Sequence, residues 1–126
     1  MPPQVASALR AALVELEREG VAGRQARYER CHGRLLAGLR RLSFEPLLPE
    51  ARQSRILLAV RAPAAPWFDF ERLHDALLAR GFTIYPGKPG HAPCFRLSVL
   101  GDLHEPDIDA FLGALGEWVE RARGRT

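Results

Sequence analysis

The run Cys94-Phe95-Arg96-Leu97-Ser98-Val99 holds the side chain best placed to do chemistry. As a strand it puts Phe95, Leu97 and Val99 on one face and Cys94, Arg96 and Ser98 on the other. A guanidinium raised on a rigid strand can take a carboxylate or phosphonate through two parallel hydrogen bonds. It can equally be a sheet-face arginine paired with a structural acid, and alternation alone does not separate the two readings. Just upstream, Tyr85-Pro86-Gly87-Lys88-Pro89-Gly90 must turn, because its prolines and glycines cannot continue a ladder. Tyr85 and Lys88 then stand where a ligand-side loop would hold them, with Lys88 open to an anion or simply solvated. Lys88 is the only lysine, so it is the only side chain able to condense with a carbonyl. That use requires a depressed pKa from burial or a neighbouring cation, for which an exposed Gly/Pro turn offers nothing.

The remaining reactive types form no constellation. His32, His74, His91 and His104 are scattered, with no HxH or HxxxH pair to hold a metal. His74 and Asp75 are helical neighbours and are not expected to face each other. Cys31 and Cys94 are too few for a disulfide framework and lack CxxC spacing, so both are read as buried or half-buried free thiols. No GxSxG elbow, phosphate-binding loop or GxGxxG is present.

The elements that must position these residues follow from periodicity. Pro2 and Pro3 open a helix with Val5, Leu9, Leu13 and Leu16 on one face, interrupted by Gly20 and Gly23. A second helix carries Tyr28, Cys31, Leu35, Leu39 and Leu42 inward, with Arg24, Arg27, Arg30, Arg34 and Arg41 mostly elsewhere and solvated. Residues 44–47 and 56–61 are predicted strands, and residues 62–66 a loop. Asp69 caps a helix that Gly81 closes at C′. Residues 82–85 and 94–99 are two more strands, and a last helix begins around Pro106 with Ile108, Phe111, Leu112, Leu115 and Val119 inward. Helices and strands do not strictly alternate. The expected fold is therefore α+β, a two-layer sandwich whose small, mostly antiparallel sheet has helices packed on one face, leaving the other face free.

With 126 residues, 47% of them apolar and 26% charged, the chain is expected to be a single globular domain, 1–126. Basic residues exceed acidic ones, 18 to 15, but the arginines follow helices and are not interleaved with exposed aromatics, so no nucleic-acid partner is expected. No stretch approaches a membrane span, and no signal peptide opens the chain, so a cytoplasmic location without membrane association is expected.

Residues 81–102, GFTIYPGKPGHAPCFRLSVLGD, resemble the C-terminal part of the 2-aminoethylphosphonate–pyruvate aminotransferases. Those class V aminotransferases run through Gly-Phe-x-Ile-Tyr-Pro-Gly-Lys and then Cys-Phe-Arg-Ile-Gly-Asn-Ile-Gly-Asp. The likeness extends to Pro2-Pro3, Arg27-Tyr28, Gly38-Leu39-Arg40, Phe44-Glu45-Pro46-Leu47-Leu48, Gln53-Ser54 and Asp107-Ile108, nearly the whole chain. It implies the small domain of a pyridoxal-phosphate enzyme that moves the amino group of 2-aminoethylphosphonate to pyruvate. Arg96 would bind the carboxylate of that small-molecule substrate, with Lys88 and Tyr85 near the site's mouth.

The anchoring lysine and the rest of the cofactor site would lie on a large domain upstream, which this chain lacks. The chain would then bind no cofactor, be inactive alone, and form a homodimer through its exposed docking surface. The departures are Gln53-Ser54-Arg55 for Gln-Ser-Pro and Ser98-Val99-Leu100-Gly101 for Gly-Asn-Ile-Gly, the latter changing the hydrogen-bonding options beside Arg96. A parent of the alanine–glyoxylate or serine–pyruvate type, or a free-standing module that binds small carboxylates or amino acids, are the alternatives.

Overall fold

A computed structural model describes residues 2–87 and 92–124. Helix α1 (Pro3–Glu19) begins on the two prolines and ends at Gly20, whose φ of 76° breaks the helix before α2 (Val21–Arg41). Gly23 lies inside α2 and does not interrupt it. Strand β1 (Leu57–Arg61) follows, then α3 (Phe70–Leu78), β2 (Tyr85–Pro86), β3 (Cys94–Ser98) and α4 (Glu105–Arg123).

The three strands form an antiparallel sheet in the order β1-β3-β2. Its inner face is Leu58, Val60, Phe95 and Leu97, extended by Ile84 and Val99, all buried against Leu35, Leu39, Leu77, Ile108 and Leu115 of the helices. The expected α+β architecture is borne out, with the alternation of Phe95, Leu97 and Val99 against Cys94, Arg96 and Ser98 as read. Phe95 is the centre of an aromatic cluster: Phe44 meets it edge-on at 5.8 Å and Phe68 stacks on it at 6.2 Å. Such geometries suit the ring quadrupoles, and the cluster ties the sheet to the segment leading into α3.

Helix α3 starts and stops as its sequence dictates. Asp69 Oδ1 accepts a hydrogen bond from the Arg72 amide at 2.9 Å. At the other end the Phe82 amide donates to Leu77 O and the Gly81 amide to Leu78 O. That pair closes the helix around Gly81, whose φ of 85° an L-residue adopts only with strain.

Three further expectations are corrected. Residues 44–47 are not a strand: Pro46 makes an isolated bridge to Val60, while the Leu47 amide reaches Ala59 O and the Arg61 amide reaches Glu45 O. Pro46 has no N–H to continue the ladder, so the segment lies along β1 without becoming part of the sheet. The 82–85 strand shrinks to Tyr85–Pro86, because closing α3 occupies the Gly81 and Phe82 amides. Finally, Arg27 is not solvated but buried in the α2 interface.

Candidate functional site

Arg96 projects from the middle strand onto the sheet face that the helices leave open. The register aligns Ala59, Arg96 and Tyr85 across the three strands, so a methyl group flanks the arginine on one side and a phenol on the other. The arginine is half-buried and Tyr85 is exposed. Arg96 Nε donates to the carbonyl of Pro86 at 3.2 Å. Among the described residues no carboxylate lies within ion-pair distance of this guanidinium. The reading of Arg96 as half of a structural ion pair therefore has no partner to support it.

Two neighbours fix the surroundings. The Gly87 amide donates to Cys94 O at 2.7 Å, drawing the chain after Pro86 against β3. A Cβ at position 87 would stand 2.4 Å from Cys94 Sγ and 2.7 Å from Cys94 O, so only glycine fits there. Ser98, on the same face as Arg96, turns its hydroxyl to its own backbone surroundings. It donates to Ile56 O at 3.0 Å and accepts from the Leu100 amide at 3.1 Å. The serine that replaces a family glycine thus secures the strand end and contributes nothing to the arginine. Lys88 lies outside the described residues. Beside Arg96, where β2 stops short of Ser98, a cavity of about 310 Å³ opens along the sheet edge, its lining including Leu57, Phe82, Tyr85, Arg96, Asp107 and Ile108.

Sequence reasoning missed a second arginine. Arg27 Nη1 donates to the carbonyls of Gly101 and Leu103, both at 2.8 Å, while its Nε meets Glu19 Oε1 at 2.6 Å. Hydrogen bonds from Arg27, then from Arg24, pull the Glu19 carboxyl down to about 2. The missed signal was in the spacing: position 27 is one step of four before Cys31, Leu35 and Leu39, hence on the buried stripe. With its donors directed at an internal acid and two carbonyls, Arg27 is a fastener and not a ligand site.

The other titratable residues stay apart. His74 does touch Asp75, Nδ1 to Oδ1 at 3.1 Å, contrary to expectation for helical neighbours, but the carboxylate is exposed and no third titratable group among the described residues joins them. His104 meets Asp102 at 3.1 Å on the surface. Cys31 and Cys94 are free, the first buried and the second half-buried. Among the described residues, no three His, Cys, Asp or Glu side chains gather as a metal site would require. The site that remains is a guanidinium whose terminal amines meet no carboxylate among the described residues, on a rigid strand beside an apolar groove. Such a site can bind and orient a small anion. Among the described residues no nucleophile–base pair accompanies it.

No family model matches the chain. Among curated proteins, the 2-aminoethylphosphonate–pyruvate transaminase of Syntrophobacter fumaroxidans is 42% identical over 121 residues, covering 95% of this chain and 33% of the relative. That of Vibrio cholerae is 39% identical over 115 residues, covering 90% of this chain and 31% of the relative. The resemblance read from the motifs is thus borne out along nearly the whole chain, and the chain spans about a third of the length of the relatives it matches. Among solved structures, alanine–glyoxylate aminotransferase from Nostoc superposes with a TM-score of 0.85 at 20% identity, over 94% of this chain and 32% of that one. Ureidoglycine–glyoxylate aminotransferase from Bacillus subtilis gives 0.84 at 22%, over 92% of this chain and 30% of that one. At those identities the agreement establishes the fold, an aminotransferase small-domain-like one.

Proposed function

We propose that these 126 residues form one domain of an aminotransferase that moves the amino group of 2-aminoethylphosphonate to pyruvate, giving phosphonoacetaldehyde and alanine, and that Arg96 binds the carboxylate of pyruvate or alanine. The observation that carries this reading is the state of Arg96: raised on the uncovered sheet face, held by a backbone carbonyl, and without an acid of its own among the described residues. A buried or half-buried guanidinium lacking a counter-charge is costly unless an anion arrives from outside. Tyr85, across from it, borders the approach to the site, and the family resemblance implies the same role for Lys88.

Pyridoxal phosphate, when bound in such enzymes, supplies the electron sink for the amino transfer. The described residues do not fit that cofactor, because no lysine is among them and Lys88 is the only one in the chain. The cofactor therefore belongs to the large domain of the whole enzyme, and this chain's part is to bind and orient the carboxylate. Isolated, it is expected to give no new absorbance with pyridoxal phosphate and no transaminase activity.

The test is a chimaera in which this chain replaces the matching third of the Vibrio cholerae relative. The chimaera is expected to aminate pyruvate. Arg96→Ala should raise the KM for pyruvate about 10²-fold, the scale for removing one partner of a desolvated charge pair, with a smaller effect on 2-aminoethylphosphonate. An unchanged KM would refute the assignment. Preference for glyoxylate over pyruvate would move the substrate to the alanine–glyoxylate type. An inactive chimaera, together with calorimetric binding of pyruvate by the chain alone that Arg96→Ala abolishes, would favour the free-standing carboxylate-binding module.

A further inference from the structure

Resting on the reading of Arg96 as the carboxylate site, we infer that Pro86 and Gly87 are positioning residues that decide which edge of the guanidinium meets the carboxylate. An arginine can offer a carboxylate either its side edge, Nε with one Nη, or its end, the two Nη groups. Here the choice is already made. Nε is committed to the Pro86 carbonyl at 3.2 Å, so the side edge is occupied by backbone and the end edge is the one left for a carboxylate. The carbonyl can stand there only because the next residue closes tightly on β3, the Gly87 amide bonding Cys94 O at 2.7 Å. Position 87 has no room for a Cβ, and one of the obstructing atoms is the Cys94 backbone oxygen, which cannot rotate away as a side chain could.

The opposite flank explains why the arginine can adopt this pose. Ala59, its register partner on β1, leaves the guanidinium free to lean toward β2 and the Pro86 carbonyl. Leu97 and Phe95 on either side along β3 point to the core and do not compete for the space. The substrate's carboxylate is therefore taken end-on, in line with the arginine side chain, and the latch is in place before substrate arrives.

The experiment uses the 126-residue chain with ¹⁵N-labelled arginine, observed by NMR. In the unsubstituted chain the Arg96 Nε proton should exchange with water roughly three- to tenfold more slowly than that of exposed Arg52, the range for one net hydrogen bond. Equal rates overturn the latch, and this measurement does not depend on any variant folding. Gly87→Ala should abolish the slow exchange and shift the Nε resonance. Pro86→Ala, which keeps the carbonyl, should preserve both. A folded Gly87→Ala chain with unchanged Arg96 exchange overturns the role of Gly87. Titration with pyruvate should then perturb the Nη resonances of Arg96 and leave Nε in place. Displacement of Nε with loss of its slow exchange overturns end-on binding. If neither moves, it is the carboxylate reading of Arg96 that fails, while the exchange data judge the latch separately.

Discussion

His32 and Glu19 carry charges that the fold treats in opposite ways, and each gives the chain its own response to acid. His32 is buried in α2, and its Nε2 has no protein partner among the described residues. Burial, reinforced by Arg55, holds the imidazole below its ordinary value of 6.5. The unfolded chain therefore binds a proton more readily than the folded one. The stability this group contributes is fully present above 6.5 and is lost as pH falls from there toward the depressed value. Glu19 is held at about 2 against an ordinary 4.5, first by Arg27 and then by Arg24. Its contribution is present above 4.5 and disappears as pH falls through about 2. Thermal melts followed by circular dichroism should thus show two separate declines. His32→Leu should flatten the one beginning near neutrality and Glu19→Gln the one in strong acid. A His32→Leu chain with the unaltered slope would refute the first assignment. At this scale the sequence was legible where alternation governs, as for Arg96. It was misleading where a charged residue breaks the pattern of its face: Arg27 was assigned to water by its type, although its position belongs to the core stripe.

Between elements, α2 packs closely on α4. Gly38 is buried there, and a Cβ on it would stand 2.3 to 2.9 Å from the side chain of Leu112. Alanine is intrinsically better than glycine in a helix by about 1 kcal/mol, whereas forcing an extra carbon into a filled interface costs about 1–3 kcal/mol. Gly38→Ala should therefore destabilise by about 1 kcal/mol in urea titrations, the difference between those two effects. Adding Leu112→Ala should bring back the helix gain at position 38, so the two changes will be non-additive. Gly81→Ala should cost about 1–2 kcal/mol, because its positive φ places a Cβ too close to the following carbonyl. These helix ends were readable in advance, since an aspartate cap and a closing glycine act locally. The strands were less so. Whether residues 44–47 and 82–84 join a sheet depends on the neighbour across from them. Pro46 and the amides used to close α3 decided against it. Trp67 and Phe68, which no element predicted from the sequence includes, pack against Trp118 and Phe95, a contact no local pattern announces.

Taken whole, the described residues leave two surfaces without a covering: the outer sheet face and the apolar stripe of α1, where Val5, Leu9 and Leu13 are each half or more exposed and no residue is buried. Exposed stripes of that kind drive association. Sedimentation at high concentration should show self-association that Leu9→Glu with Leu13→Glu removes, and a clean monomer at every concentration would refute this. No helix among the described residues is long and apolar enough to cross a membrane. The legible part at this scale was the layer arrangement, which follows from element order. What covers α1 was not legible, because about two thirds of the relatives' length has no counterpart in these residues.

The fastening around Arg27 has a mechanical corollary. One guanidinium grips Glu19 at the end of α1 and the two carbonyls of the turn that follows the strand of Arg96. The first helix and the far end of that strand are thus yoked through a single side chain. Replacing Arg27 by Met should let both segments loosen in concert, seen as faster amide deuteration in α1 and at residues 101–103 together. A force applied to the first helix by whatever docks there would travel the same short route, arriving a few residues from Arg96.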